Sequence, residues 1–233
     1  MISCPAGDTA APFTVTGLSL WLASLVQSPD LVDRARLLLS DEERCHADRG
    51  TPAVRTRRTL TRAAVRLALT RCTGADPSAL RLVSDADGKP RIDAPGPAFS
   101  VSHTDRWALI GATSLGEIGV DLEQIVAIGE LEAIVRERFP AAVTCDVLGV
   151  IGEERLRRFY RHWTRLEAAL KARGIGLARG LAAGVGEPDM RGWTTAEVDP
   201  GPGLIGAVVV AGTHSWSGGT LRPRILDYAA ALR

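Results

Sequence analysis

Three short apolar runs, at residues 98–101, 107–113 and 118–123, follow one another with only a few turn-forming residues between them. Runs this short, separated by Thr104-Asp105-Arg106 and by Leu115-Gly116, read as consecutive strands of an antiparallel sheet. The third run, Ile118-Gly119-Val120-Asp121-Leu122-Glu123, constrains the chain most. In a strand, residues i and i+2 share a face. Val120 and Leu122 therefore turn into a core, while Asp121 and Glu123 project together from the other side. Two like charges side by side are costly unless a cation or a shifted pKa relieves them. A hard divalent cation is one relief, because it takes oxygen ligands. A solvated strand end is the other.

Helical patterns flank this sheet. Residues 29–39 read as a short helix. Ser40-Asp41-Glu42-Glu43 is a capping box that opens a polar helix towards Arg49. Gly50-Thr51-Pro52 interrupts it, and residues 53–72 resume with Leu60, Ala64, Leu67 and Ala68 at helical spacing. Arginines 55, 57, 58, 62, 66 and 71 occupy the other faces, as a solvated surface or as a grip for phosphate. An early strand falls within residues 15–25. Residues 80–83 and 91–92 flank a hairpin-like loop at residues 85–90. Further on, residues 130–139 read as a helix, residues 146–152 have no firm assignment, and residues 153–173 form a long helix. Phe159, Trp163, Leu166 and Leu170 are its apolar stripe, and Gly174-Ile175-Gly176-Leu177 stops it. Strands follow at 192–198 and 204–211, before a Gly-rich tail that turns apolar at Ile225, Leu226 and Tyr228. Residues 1–16 read as a frayed start.

Net charge is +1, which argues against a general nucleic-acid or membrane-surface binder. No apolar run is long enough to cross a bilayer and no secretory pattern opens the chain, so the expectation is a cytoplasmic protein. Cys4, Cys45, Cys72 and Cys145 are scattered without zinc-ligand spacing. Arginine supplies all basic residues except Lys89 and Lys171.

Lys171 matters because it lies four residues after Glu167, on the same helix face, with Trp163 one turn earlier. A surface ion pair is the ordinary meaning of that spacing. Added to Asp121 and Glu123, however, Glu167 makes a third carboxylate, enough to hold one Mg²⁺ if substrate phosphates and water complete its shell. His103 follows a strand and stands in Ser-His-Thr. The sequence has no nucleophile elbow, no P-loop and no dinucleotide fingerprint. If the chain binds phosphate, the contacts must then come from arginines, Lys89, Lys171 and His103.

Four motifs, in order, resemble those of the 4'-phosphopantetheinyl transferases: Gly88-Lys89-Pro90, then Phe99-Ser100-Val101-Ser102-His103-Thr104, then Ile118 to Glu123, then Trp163-Thr164-Arg165-Leu166-Glu167-Ala168-Ala169-Leu170-Lys171. They look like the longer, monomeric Sfp-type members. The resemblance implies an α+β fold of two similar halves related by a pseudo-twofold, residues 1–116 and 117–233, with the active site between them. The first half would contribute to coenzyme A binding, and the second would supply the metal site and the catalytic helix. It implies transfer of the phosphopantetheine arm of coenzyme A to a serine of an acyl or peptidyl carrier protein, with adenosine 3',5'-bisphosphate as the other product. On that reading Asp121, Glu123 and Glu167 hold Mg²⁺, and Glu167, Lys171 and His103 are catalytic. Coenzyme A is bound by Arg49, Arg58, Gly88, Lys89, Pro90, Ser102, His103 and Lys171. The sequence departs from the family pattern at Leu166, where a lysine is usual, and at Glu43 and His46, where some members carry lysines; Arg44 and Arg49 are the cations at hand. Leu166 motivates a competing reading, an eroded module that binds coenzyme A or carrier proteins. A metal-dependent pyrophosphate hydrolase is the third.

Overall fold

The computed structural model describes residues 16–85, 88–175 and 189–232. Its architecture follows from strand parity. In β1 (Leu18–Ser24), Trp21 and Ala23 join one core with β4 (Ala98–His103), β5 (Trp107–Thr113) and the long helix α3 (Pro52–Thr73). Leu18, Leu20 and Leu22 point the other way, into a second core shared with Ile118, Val120 and Leu122 of β6 (Ile118–Gln124). Facing sides of two sheets therefore meet across an apolar layer, with a helical layer outside each.

The first sheet has the order β10-β1-β5-β4, where β10 is Arg224–Leu226. Before α3 come α1 (Pro29–Leu37) and α2 (Asp41–Ala47). Both bonds of the expected capping box are present at Ser40 and Glu43. Thr51 caps α3, with Pro52 as its first residue, and Gly74 ends it at φ 72°, a conformation that suits glycine. A small hairpin of β2 (Leu82–Ser84) and β3 (Pro90–Ile92) follows.

The second sheet has the order β6-β8-β7-β9, built with β7 (Trp193–Val198), β8 (Leu204–Ala211) and β9 (Thr220–Leu221). Helix α6 (Gly152–Ala172) lies on its outer side, together with α4 (Leu131–Arg138) and α5 (Ala141–Leu148). The last turn of α6 closes with Gly174 at φ 69°, the Gly174 N–H on Lys171 O and the Ile175 N–H on Leu170 O, a Schellman stop. A short helix, α7 (Tyr228–Ala231), ends the described chain.

The fold is α+β with two sheet-bearing halves, as expected. Three local expectations change. Residues 141–148 form α5, so the region from 146 is partly helical. His103 is the last residue of β4 and does not follow the strand. The three consecutive strands do not share one antiparallel sheet: β4 and β5 pair in the first, whereas β6 crosses to the second and pairs with β8, and the tail adds β10 parallel to β1 and β9 parallel to β7. The expected frayed start lies outside the described residues apart from Thr16, and so do Gly176 and Leu177. No helix among the described residues is long and apolar enough to cross a membrane.

Candidate active site

Gly119 sets the distance between β6 and α6. A Cβ there would lie 2.0 Å from Ala168 O and 2.4 Å from Ala172 N, so only glycine lets the helix backbone rest on the strand. Ala168, Ala169 and Ala172 keep the facing side of the helix small. With the helix seated this closely, Glu167 and Lys171 come to Asp121 and Glu123. On its other edge, β6 runs beside β4 of the first half. There Ser100 Oγ accepts the Val120 N–H at 3.1 Å. Two residues on, Ser102 Oγ donates to Asp121 Oδ1 at 2.8 Å.

Asp121 is the centre of the cluster, 1 % exposed. Lys171 Nζ lies 2.5 Å from Asp121 Oδ1, 3.0 Å from Ser102 Oγ and 3.6 Å from Glu167 Oε2. The other carboxylate oxygen, Asp121 Oδ2, is buried without a hydrogen-bond partner. Asp121, Glu123 and Glu167 offer oxygens that all lie within 4.8 Å of one another. Burial, followed by the Asp121 charge, pushes Glu123 up to about 7 and Glu167 up to about 8. The Trp163 side chain bonds Glu123 and partly offsets that shift. Three carboxylates face one ammonium, leaving two negative charges in excess when all are ionised. A buried orphan oxygen, three converging oxygen donors and that excess fit one hard divalent cation.

Other residues singled out in the sequence stand apart from this cluster. His103 alternates with Ser102 along β4 and lines a cavity of about 390 Å³ with Glu42, Glu43, His46, Arg58 and Arg62. Burial, then Arg57, holds its imidazole below the ordinary value. Arg58 donates to Arg49 O at 2.8 Å and His46 O at 3.2 Å, which closes the end of α2. Arg49 itself is exposed. Arg66 is buried, with Glu43 and the carbonyls of Pro77 and Leu80 as partners, so this arginine serves the core. Gly88 is exposed at φ 83°, and Pro90 lines a separate cavity of about 490 Å³ with Phe99 and Thr113. Lys89 reaches Glu117 and Ala172 O. Leu166 is 3 % exposed and sits in the apolar cluster with Val135, Phe159 and Ile205. Sequence reasoning missed Ser100 and Glu117; their partners lie 20 and 28 residues away, and no local pattern marks them.

The fold and the site together define a protein with an acidic, cation-ready centre at the seam of two α+β halves. Comparison with known proteins makes the assignment specific. The family model for the 4'-phosphopantetheinyl transferase superfamily matches residues 117–226. The chain is 29 % identical over 206 residues to the 4'-phosphopantetheinyl transferase HetI of Nostoc sp., covering 83 % of this chain and 87 % of that one. It is 33 % identical over 155 residues to a Synechocystis sp. protein provisionally named for the same activity, covering 65 % of this chain and 63 % of that one. The match to the transferase Sfp of Bacillus subtilis is 33 % over 115 residues, about half of each chain at 49 % and 50 %. The chain belongs to the 4'-phosphopantetheinyl transferase superfamily.

Proposed function

We propose that this protein is an Sfp-type enzyme that moves the 4'-phosphopantetheine arm of coenzyme A to a serine of an acyl or peptidyl carrier protein, with Mg²⁺ at Asp121, Glu123 and Glu167. The observation that carries this reading is the buried cluster in which Lys171 already pairs with Asp121 while Asp121 Oδ2 has no partner. When bound, the cation supplies charge neutralisation at the pyrophosphate. The protein's own part is positioning and electrostatics, which is what phosphoryl-type transfer needs. The carrier serine oxygen forms a bond to the β-phosphorus, and the bond to adenosine 3',5'-bisphosphate breaks. Glu167 takes the serine proton, directly or through water. Lys171 donates to the oxygen on which charge develops as the bisphosphate leaves. The nucleotide would lie along the first half, near Ser102, His103, Arg49, Arg58 and the loop of Gly88, Lys89 and Pro90.

The eroded-module reading drew on Leu166. That residue packs in the core, about 100° around the helix from Glu167, so a leucine there takes no charge from the carboxylate cluster. This supports the catalytic reading. It extends to a monomeric cytoplasmic enzyme whose partners are carrier proteins and coenzyme A, not nucleic acid. The carrier's acidic helix would meet the arginines of residues 136–158.

The test is intact-mass analysis of apo carrier proteins incubated with the protein, coenzyme A and Mg²⁺. The expected result is a gain of one phosphopantetheine arm that disappears with chelator and with Glu167→Gln. Coenzyme A binding with no gain on acyl or peptidyl carriers would favour the binding module instead. Release of phosphopantetheine into water would favour the hydrolase.

A further inference from the structure

The ammonium of Lys89 is committed inside the protein. It donates to Ala172 O at 2.9 Å and pairs with Glu117 Oε2 at 2.7 Å, and the side chain is only 8 % exposed. Ala172 is the last residue of α6. Carbonyls at a helix end lack partners within the helix, and the macrodipole makes that end negative. Here the N–H groups of Arg173, Ile175 and Gly174 take Ala169 O, Leu170 O and Lys171 O in turn, and Ala172 O goes to Lys89. Glu117, one residue before β6, uses its other oxygen to hold Arg91 at 2.8 Å. Arg91 also binds Asp85 at 3.0 Å, and Asp85 accepts the Lys89 backbone N–H at 2.9 Å. Two cations and two carboxylates thus close a loop that ties the β2–β3 hairpin, the start of β6 and the end of α6.

We propose that Lys89 is a positioning residue: its ammonium pins the last turn of α6 and thereby holds Lys171, the neighbour of Ala172, against Asp121. Glu117 and Ala172 O take two of the three ammonium donors, and the remaining one is the most that Lys89 could offer a phosphate without giving up a partner. The resemblance implied a nucleotide contact for Lys89; the geometry assigns its charge to the helix end instead. The kinetic consequence rests on the transferase reading, while the pinning itself does not.

The experiment uses the full chain with Lys89→Met, Glu117→Gln, the double variant and Lys89→Arg, read by amide exchange and by steady-state transfer. Lys89→Met is expected to speed exchange at Arg173, Gly174 and Ile175 about tenfold while the first turns of α6 stay protected. It should lower kcat about tenfold and leave the KM for coenzyme A within about twofold. Glu117→Gln should act in the same direction, the double variant should be no worse than Lys89→Met, and Lys89→Arg should recover part of the protection. Unchanged exchange at those three amides overturns the proposal. So does a raised KM at constant kcat, which would mark Lys89 as a nucleotide contact. If the wild-type protein transfers nothing, the transferase reading falls, and the exchange result alone decides the pinning.

Discussion

Asp121 divides its two oxygens unequally. Oδ1 receives Lys171 and Ser102, and Oδ2 receives nothing, although both lie in a residue that is 1 % exposed. Replacing Asp121 with Asn keeps the shape and removes the charge that Lys171 answers. The expected cost is about 2 kcal/mol in urea unfolding of the metal-free protein, from charged hydrogen bonds lost in a buried setting. An unchanged midpoint would mean that Lys171 finds an equal partner elsewhere. Glu123, up at about 7, and Glu167, at about 8, make a second prediction for the metal-free protein. Both folded-state values lie above the ordinary glutamate value of the unfolded chain. Between those values the folded state binds more protons, so stability falls as pH rises from about 5 to about 8. Unfolding midpoints in chelator should therefore drop across that window, and saturating Mg²⁺ should flatten the drop by pairing the ionised carboxylates. A profile that is flat in chelator would refute the charge crowding. At this scale the sequence was informative: spacing two apart in a strand and four apart in a helix placed Asp121 with Glu123 and Glu167 with Lys171. It was silent on the bond from Ser102 to Asp121, because that bond spans 19 residues and depends on how β4 lies against β6.

The pairing of β6 with α6 depends on Gly119. In Gly119→Ala the new methyl would meet Ala168 O at 2.0 Å, an atom of helix backbone that cannot swing aside as a side chain would. Either the helix lifts or the strand bends, at a cost of about 3 kcal/mol. Because Glu167 and Lys171 ride on that helix, transfer should fall more steeply than stability at temperatures where the variant stays folded. A variant with wild-type melting and wild-type turnover would show that the contact has slack. Ser40→Ala gives a smaller calibration, about 1 kcal/mol by loss of the cap, with little effect on turnover. Elements with strong local signals were legible: the capping box opens α2 and Gly174 closes α6, while Pro52, which reads as part of a break, is the first residue of α3. Helix α5 was not, because Pro140 caps it without a side-chain bond and no capping residue announces it. Strands β9 and β10 are two and three residues long. Alternation has no room to show in so few residues, and a parallel partner is chosen by tertiary packing.

For the whole molecule, the return of the tail is the telling feature. Trp21, Leu22 and Ala23 of β1 pair with Arg224, Ile225 and Leu226 of β10. Tyr228, which follows, is 1 % exposed and donates to Leu60 O at 2.6 Å inside the first core. We propose the division between residues 116 and 117 as one between structural halves of a single folding unit. A fragment of residues 1–116 would leave the β1 edge open and the Tyr228 socket in the first core empty. A fragment of residues 117–233 would expose Ile118, Val120 and Leu122, the face that the first sheet covers. Each fragment alone is therefore expected to lack a cooperative thermal transition, while the full chain melts in one step. Mixing the fragments should recover part of that transition, since β10 can add to β1 from a separate chain. The candidate site follows the same rule, because Ser102 comes from the first half and Asp121, Glu167 and Lys171 from the second. If the fragment of residues 117–233 folded cooperatively and carried the transfer by itself, the seam would be dispensable and the assignment of the first half to coenzyme A would fail with it.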